Sequence, residues 1–387
     1  MLKTVPKISV MLLYRGTFSG STRSLLPALE KNGCKVVQSR SSLRYLRCRI
    51  FCIIYMVLNA MLVYKSKFRK YINRTYAAFM CMSKANQALM ARCGHVDAVI
   101  QIGANYNSFW KTRNNNQLYT IFTDHTNMLS KKESSAWYRS PESDVHDDWN
   151  SIEKQIFNSQ DHIFVMGSQV KASLVDDYAM DADAISVVGA GPNLDVDAER
   201  DGVHKRYDAK TILFVGLDGK RKGLDLLINA FNDLLEAFPD ARLHVAGVEG
   251  DNSRGVTYHG AVHGEALKEL YYDAQVFVLP TFREPFGIVL LEAMFAKNAC
   301  VAFRTGAIPE IIRDQETGFI VDVGDVEALK KRLAELLSDP ALIEAMGEAG
   351  YKTAKANWTW DLTARKMVGQ IEAMLANKGY KDAGGGH

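Results

Sequence analysis

In the second half of the chain, short apolar runs alternate with longer stretches whose apolar positions recur every three or four residues. "TILFVG" (211–216) is a β-branched run ending at a glycine, the pattern of a buried strand. From Gly223 to Ala237, residues Leu224, Leu226, Leu227, Ala230, Phe231, Leu234 and Leu235 are read as one face of a helix. "RLHVAGV", "QVFVLPT", "CVAF" and "GFIV" read as further strands, with helices over "ALKELYYDA", "IVLLEAMFA" and "IPEIIR" between them. Helical patterns then cover Val326–Leu337, Ala341–Ala356 and Trp360–Leu375. Strands that alternate with helices predict a parallel sheet covered on both faces.

The first half begins the same way. "KISVMLLY" is a strand, "RGTFSG" a glycine-bearing loop, "TRSLLPALEKNG" a helix that holds Pro27 and ends at Gly33, and "KVV" the next strand. After a long basic and apolar insertion, "DAVIQIG", "LYTIFT", "HIFVMG" and "AISVVG" are strands again. The expected organisation is an α/β domain over 1–190 with a helical insertion at about 40–93, and a polar linker over 191–209. A second α/β domain follows over 210–357, then a helix over 358–380 expected to cross back to the first domain, and a tail over 381–387. Ligands of open parallel sheets bind at the carboxyl ends of the strands, so the chemistry is expected in the loops that follow them. Two such domains facing each other would place it in the cleft between.

Charge changes this picture in one place. Between Glu30 and Asp97 the chain has no acidic residue but thirteen Lys and Arg, although the net charge of the whole is only +3. A basic block of this kind suits an anionic partner or surface. Six cysteines are scattered with no CxxC pair, so neither a zinc knuckle nor a disulfide framework is expected, and free thiols in a reducing cytosol are. The first apolar run is short and lacks a small-residue cleavage site, the pattern of a strand and not of a signal peptide.

Three loops carry candidate chemistry. "FVGLDGKRKGLDLL" sets Gly216 after a strand and Lys220, Arg221 and Lys222 at the start of a helix. Free N–H groups and cations there suit a diphosphate, although a solvated loop fits equally well, and no Walker A pattern is present. "TFREPFGIVLLEAM" places Glu284 in a Pro-Gly turn and Glu292 eight residues on, within an apolar helix expected to begin near Phe286. At about 100° per residue the two glutamates fall on roughly the same side, and a carboxylate buried at Glu292 needs hydrogen-bond donors such as a ribose diol. "LYTIFTDHTNML" puts His125 just past a strand, with Asp124 beside it. "ISVVGAGPNL" starts like a dinucleotide fingerprint, but Leu194 stands where its last glycine belongs.

These motifs together resemble the retaining family-4 glycosyltransferases. "EPFGIVLLE" is similar to their E-x7-E element, and "FVG" with "RKG" to their phosphate loop. "RTGAIPEII" with "TGFIV", "RGTFSGSTRSLLPALEKNG" and "WTWDLTARKMVGQI" are similar to three further family stretches. The resemblance covers the C-terminal domain nearly end to end and the N-terminal domain in patches. It implies the GT-B fold, with two Rossmann-like domains, and transfer of a sugar with retention from a nucleotide diphosphate sugar to an acceptor hydroxyl on a glycan or lipid-linked glycan. It implies that Glu284 binds the donor sugar, Glu292 the ribose, and Lys222 with Arg221 the diphosphate. Gly216, Phe286, Gly287 and Ile288 would complete the donor site, together with Gly16 and Thr17, which stand in register with the family's Gly-Gly. His125 matches a histidine that contacts the donor sugar. No metal and no other cofactor is expected; Asp181–Asp183 and Asp195–Asp197 lie in polar sequence near the domain boundary. The family often has Arg where this chain has Leu217.

Two rival functions are a different GT-B enzyme, such as a nucleotide-sugar epimerase, and a non-catalytic protein on a membrane surface. The insertion bears on the second. Ile50–Tyr64 is fifteen residues interrupted only by Asn59, with bases at both ends. Within residues 40–74 this is either a helix lying on an anionic membrane or a core helix with basic ends, and it is short for a bilayer span. No nucleic-acid motif is present. The expected location is cytoplasmic, with a peripheral place at the membrane if the first alternative holds.

Overall fold

The computed structural model describes residues 8–14, 20–40, 50–109, 113–133 and 138–378. They form two units, and the chain passes from the first to the second at Gly189–Ala190 and back at Thr359–Trp360. Residues 138–139 also belong to the second unit. Gly16 and Thr17 lie outside the described residues.

The first unit is built on a parallel sheet in the order β2-β1-β3-β4-β5-β6. Its strands are β1 (Ile8–Tyr14), β2 (Cys34–Arg40), β3 (Ala98–Ile102), β4 (Leu118–Thr123), β5 (His162–Val165) and β6 (Ile185–Val187). β3, β4 and β5 are buried at every position, as expected where helices cover both faces of a parallel sheet. Helix α1 (Ser21–Lys31) follows β1 and keeps Pro27 within it. The insertion folds as α2 (Ile50–Tyr64), a tight turn over Lys65–Lys67, α3 (Phe68–Tyr71) and α4 (Tyr76–Cys93). Further helices are α5 (Asn127–Lys132), α6 (Asp148–Asn158) and α7 (Ser168–Asp176). The buried face of α6 (Trp149, Ile152, Ile156 and Phe157) recurs at helical spacing and joins the core beside β4 and β5.

The second unit has its own parallel sheet, in the order β12-β11-β10-β7-β8-β9. The strands are β7 (Thr211–Val215), β8 (Arg242–Ala246), β9 (Val256–Gly260), β10 (Val276–Leu279), β11 (Ala299–Phe303) and β12 (Gly318–Val321). Their helices are α8 (Leu224–Ala237), α9 (Glu265–Asp273), α10 (Ile288–Phe295), α11 (Ile308–Ile311), α12 (Val326–Ser338) and α13 (Pro340–Asn357). The inner face of α8 and that of α12 close over Ile212, Phe214, Val278 and Val301. Edge strand β9 escapes the sequence pattern because Thr257, Tyr258 and His259 are only half-buried, so no apolar run marks it.

One expectation changes here. The stretch 191–209 is not free linker but part of the second unit: Ala198 N donates to Phe295 O (3.0 Å) and Lys205 Nζ to Ala296 O (2.6 Å). The last helix, α14 (Trp360–Asn377), belongs to the first unit and packs on α1. Asp361 there accepts from Asn32 Nδ2 (3.0 Å) and pairs with Lys31 (3.1 Å).

Helix α4 begins with a defined cap: buried Thr75 accepts from Ala78 N at 3.1 Å. Losing an N-cap hydroxyl costs about 1 kcal/mol. Thr75→Ala is expected to lower unfolding stability by about that amount in urea titration, with an unchanged slope.

Candidate active site

In the second sheet the chain runs from β7 outward to β8 and β9, then returns to place β10 on the other side of β7. The strand order reverses between β7 and β10, which is where open α/β sheets bind ligands. The loops after these two strands carry the three charged residues that the sequence singled out. Lys222 Nζ donates to Glu284 Oε2, and Arg221 stands 4.0 Å from the same oxygen. Lys222 and Glu284 are 7% and 8% exposed, so the pair is nearly dry. Burial pushes the Lys222 ammonium below its usual range, against the pull of Glu284.

The backbone brings these loops together. Phe282 N donates to Arg221 O (3.0 Å), and the Arg221 guanidinium returns a bond to Arg283 O (2.6 Å). Gly223 adopts a left-handed φ of +70°, and a Cβ there would stand 2.0 Å from Pro280 O. Gly306, φ +54°, approaches Glu284 still more closely: a Cβ would lie 1.6 Å from the Glu284 carbonyl oxygen. No residue with a side chain fits either place without moving the loop that carries Glu284. Gly216 sits against Lys222, its would-be Cβ 3.1 Å from Lys222 Cγ.

Helix α10 starts at Ile288, two residues later than expected, behind Gly287 with φ +106°. Glu284 is therefore not on the helix, and the eight-residue spacing does not give the two glutamates a common face. Glu292 is buried and turns elsewhere. Its Oε1 accepts from Asn193 N (3.2 Å) and Leu194 N (3.1 Å), and its Oε2 from Tyr271 (2.9 Å). Burial raises its pKa above the ordinary 4.5, and these three donors oppose the rise. The donors that the sequence required are thus supplied by the chain itself. Nothing in the sequence pointed to Tyr271, which reads as an ordinary residue of α9 and lies 21 positions before its partner. Phe286 packs its ring on Trp358 (5.6 Å between centroids), so its side chain is core and leaves only backbone to the loop. Ile288 is half-buried at the first turn of α10, where N–H groups lack intrahelical acceptors.

His125 belongs to the first unit. It follows β4, and its Nε2 stands 3.1 Å from Glu133 Oε2 at the end of α5. The loop carrying it is anchored by buried Glu153, which accepts from Asn127 N (2.9 Å) and from Tyr178. Asp195 pairs with Arg200 (2.7 Å) and Asp197 accepts from Tyr351 (2.8 Å), so each already has a protein partner.

Residues 195–353 match the family model described as "Glycosyl transferases group 1". Among curated proteins, the chain is similar to the D-inositol 3-phosphate glycosyltransferase of Corynebacterium efficiens, 29% identical over 67% of this chain and 66% of that protein. An uncharacterized glycosyltransferase of Methanocaldococcus jannaschii is 34% identical over 42% of this chain and 44% of its own length. The match thus spans just under two thirds of the first relative and less than half of the second. Among solved structures, the sucrose-phosphate synthase of Thermosynechococcus elongatus aligns with a TM-score of 0.71 at 20% identity, covering 96% of this chain and 100% of that one. HepE of Anabaena, solved with UDP and glucose, aligns with a TM-score of 0.64 at 12% identity over 95% and 100%.

Tyr271→Phe removes one donor from a buried carboxylate, which costs about 1.5–3 kcal/mol when the acceptor is charged. The lost bond favours only the ionised form of Glu292. The loss is therefore expected to be largest at high pH, where Glu292 is ionised in both proteins, and to shrink as the pH falls through its raised folded pKa. Thermal unfolding of both proteins across that range measures it. Residues 195–353 are thus similar to the group 1 glycosyl transferases, and the chain has the GT-B fold of these solved structures.

Proposed function

We propose that the protein is a retaining glycosyltransferase of family 4 that moves a sugar from a nucleoside diphosphate donor to an acceptor hydroxyl. One observation carries the reading: within residues 195–353, a buried lysine and a buried glutamate meet at the point where the strand order reverses. Lys222 and Arg221 are the cations that hold the donor diphosphate, with the first N–H groups of α10 at Gly287 and Ile288 beside them. Glu284 takes the sugar hydroxyls. Gly216 keeps the floor of the loop open, and Gly16 and Thr17 are assigned to the same donor by the family pattern. Glu292 keeps one lone-pair direction beyond its three protein donors for the ribose. His125, at the carboxyl end of β4, is assigned a contact with a sugar.

The acceptor oxygen attacks the anomeric carbon from the face that the diphosphate leaves. The bond from that carbon to the diphosphate oxygen breaks, the new glycosidic bond forms, and the departing diphosphate takes the acceptor's proton. Lys222 and Arg221 stabilise the charge that grows on the leaving group, so neither a metal ion nor another cofactor is called for in this scheme. The acceptor is a glycan or a lipid-linked glycan, and the protein works in the cytoplasm, where nucleotide sugars are made. The D-inositol 3-phosphate glycosyltransferase relative and the UDP complex of HepE support a nucleotide-sugar donor and a hydroxylated acceptor.

The test is donor turnover across a panel of uridine and guanosine diphosphate sugars, with Glu284→Gln and Lys222→Ala alongside. Removing one preorganised electrostatic group typically costs about 100- to 1,000-fold in rate. Selective turnover that falls by that factor in both variants, with unfolding still cooperative, is expected. Turnover equal to that of the parent in either variant contradicts the assignment.

A further inference from the structure

Helix α2 breaks the rule that the outer face of a surface helix is polar. Met56, Ala60 and Tyr64 form its buried inner stripe; Met56 packs among Ala78, Cys81, Met82 and Ala85 of α4, and the Tyr64 ring stands 5.0 Å from that of Tyr71. The opposite side is apolar as well. Phe51 is 85% exposed and Leu62 80%, with Ile50, Ile54, Tyr55 and Leu58 at 50% or more. At 100° per residue these six positions fall within about 140° of arc, a continuous stripe with Phe51, Leu58 and Leu62 along its middle. Water gains nothing from such a stripe, and a contiguous exposed apolar surface marks a contact site.

The surroundings say which contact. Lys65, Lys67, Arg69 and Lys70 follow directly on α2, and all four are exposed. Lys67 pairs with Asp144, whereas Lys65, Arg69 and Lys70 form no ion pair among the described residues. In sequence, Arg44, Arg47 and Arg49 precede the helix, and no acidic residue occurs between Glu30 and Asp97. An apolar stripe followed directly by exposed cations fits a surface that is apolar within and anionic at its rim. By length and composition Ile50–Tyr71 could cross a membrane, but α2 is held into its own unit. The Tyr64 hydroxyl donates to Arg74 O (2.7 Å) and accepts from His146 N (3.2 Å), Met56 packs on α4, and Ala60 is fully buried. Crossing would strip that inner side from the core.

We propose that α2 lies flat on an anionic lipid bilayer, with Phe51, Ile54, Leu58 and Leu62 entering the acyl boundary and Lys65, Arg69 and Lys70 on lipid phosphates. This deepens the reading of a lipid-linked acceptor by giving the protein a defined membrane-facing surface, and it rests on the geometry of α2 whether or not that reading holds.

The experiment is sedimentation of the full chain with vesicles of phosphatidylcholine alone, or with one third phosphatidylglycerol, at low and high salt. Phe51→Glu/Leu62→Glu and Lys65→Gln/Arg69→Gln/Lys70→Gln are run beside it. Every changed side chain is exposed, and thermal unfolding and size-exclusion light scattering confirm fold and mass. Binding to the anionic vesicles alone is expected, weakened about tenfold or more by either variant and by salt. Donor turnover with no vesicle present should be unchanged in both variants, which separates this test from that of the transferase. Three results overturn the proposal: no binding, binding indifferent to the glutamates on α2, or a dimer of the parent that the glutamates dissociate without any vesicle binding.

Discussion

A lysine and a glutamate that are both nearly excluded from water can coexist only by facing each other. Taking either charge out of water costs several kcal/mol, and their attraction repays this only when the geometry is close. Lys222 and Glu284 come from loops 62 residues apart, so their meeting constrains everything around them. β7 and β10 must be neighbours, their loops must touch, and the glycines at 223 and 306 must let the backbones approach. The pair is thus both a product of the fold and a store of charge. A buried cation with one small anionic partner can be redirected by a ligand carrying more negative charge.

The second buried carboxylate is used differently. Glu292 is held by Tyr271 and by two N–H groups at Asn193 and Leu194, four and five residues past the point where the chain enters the second unit. That segment looks like linker in the sequence because it is polar. Its anchoring is carried by backbone donors and by a distant tyrosine, and composition reports neither.

Much of the fold was legible because parallel strands covered on both faces must be apolar at every position. "TILFVG", "LYTIFT" and "CVAF" announce β7, β4 and β11 without ambiguity. β9 was not legible, since a half-exposed edge strand carries no such run. Helices α5, α6 and α7 were overlooked among polar residues, although the apolar spacing of α6 was present. The carboxylates were marked by chemistry that jars with their surroundings, a charge in a Pro-Gly turn and another in an apolar helix. Their partners were not, because a single sequence does not reveal that residues 62 or 99 positions apart will touch. For α2 the sequence left two alternatives, and the structure divides them. One stripe is core against α4, and the other is exposed.

A crystal structure with an unhydrolysed nucleoside diphosphate sugar bound would test the central claim most directly. Lys222 Nζ should then lie on a diphosphate oxygen, with the sugar hydroxyls on Glu284 and the diphosphate before Gly287 and Ile288 at the start of α10. A donor bound elsewhere, with the Lys222–Glu284 pair intact and the start of α10 empty, would contradict it.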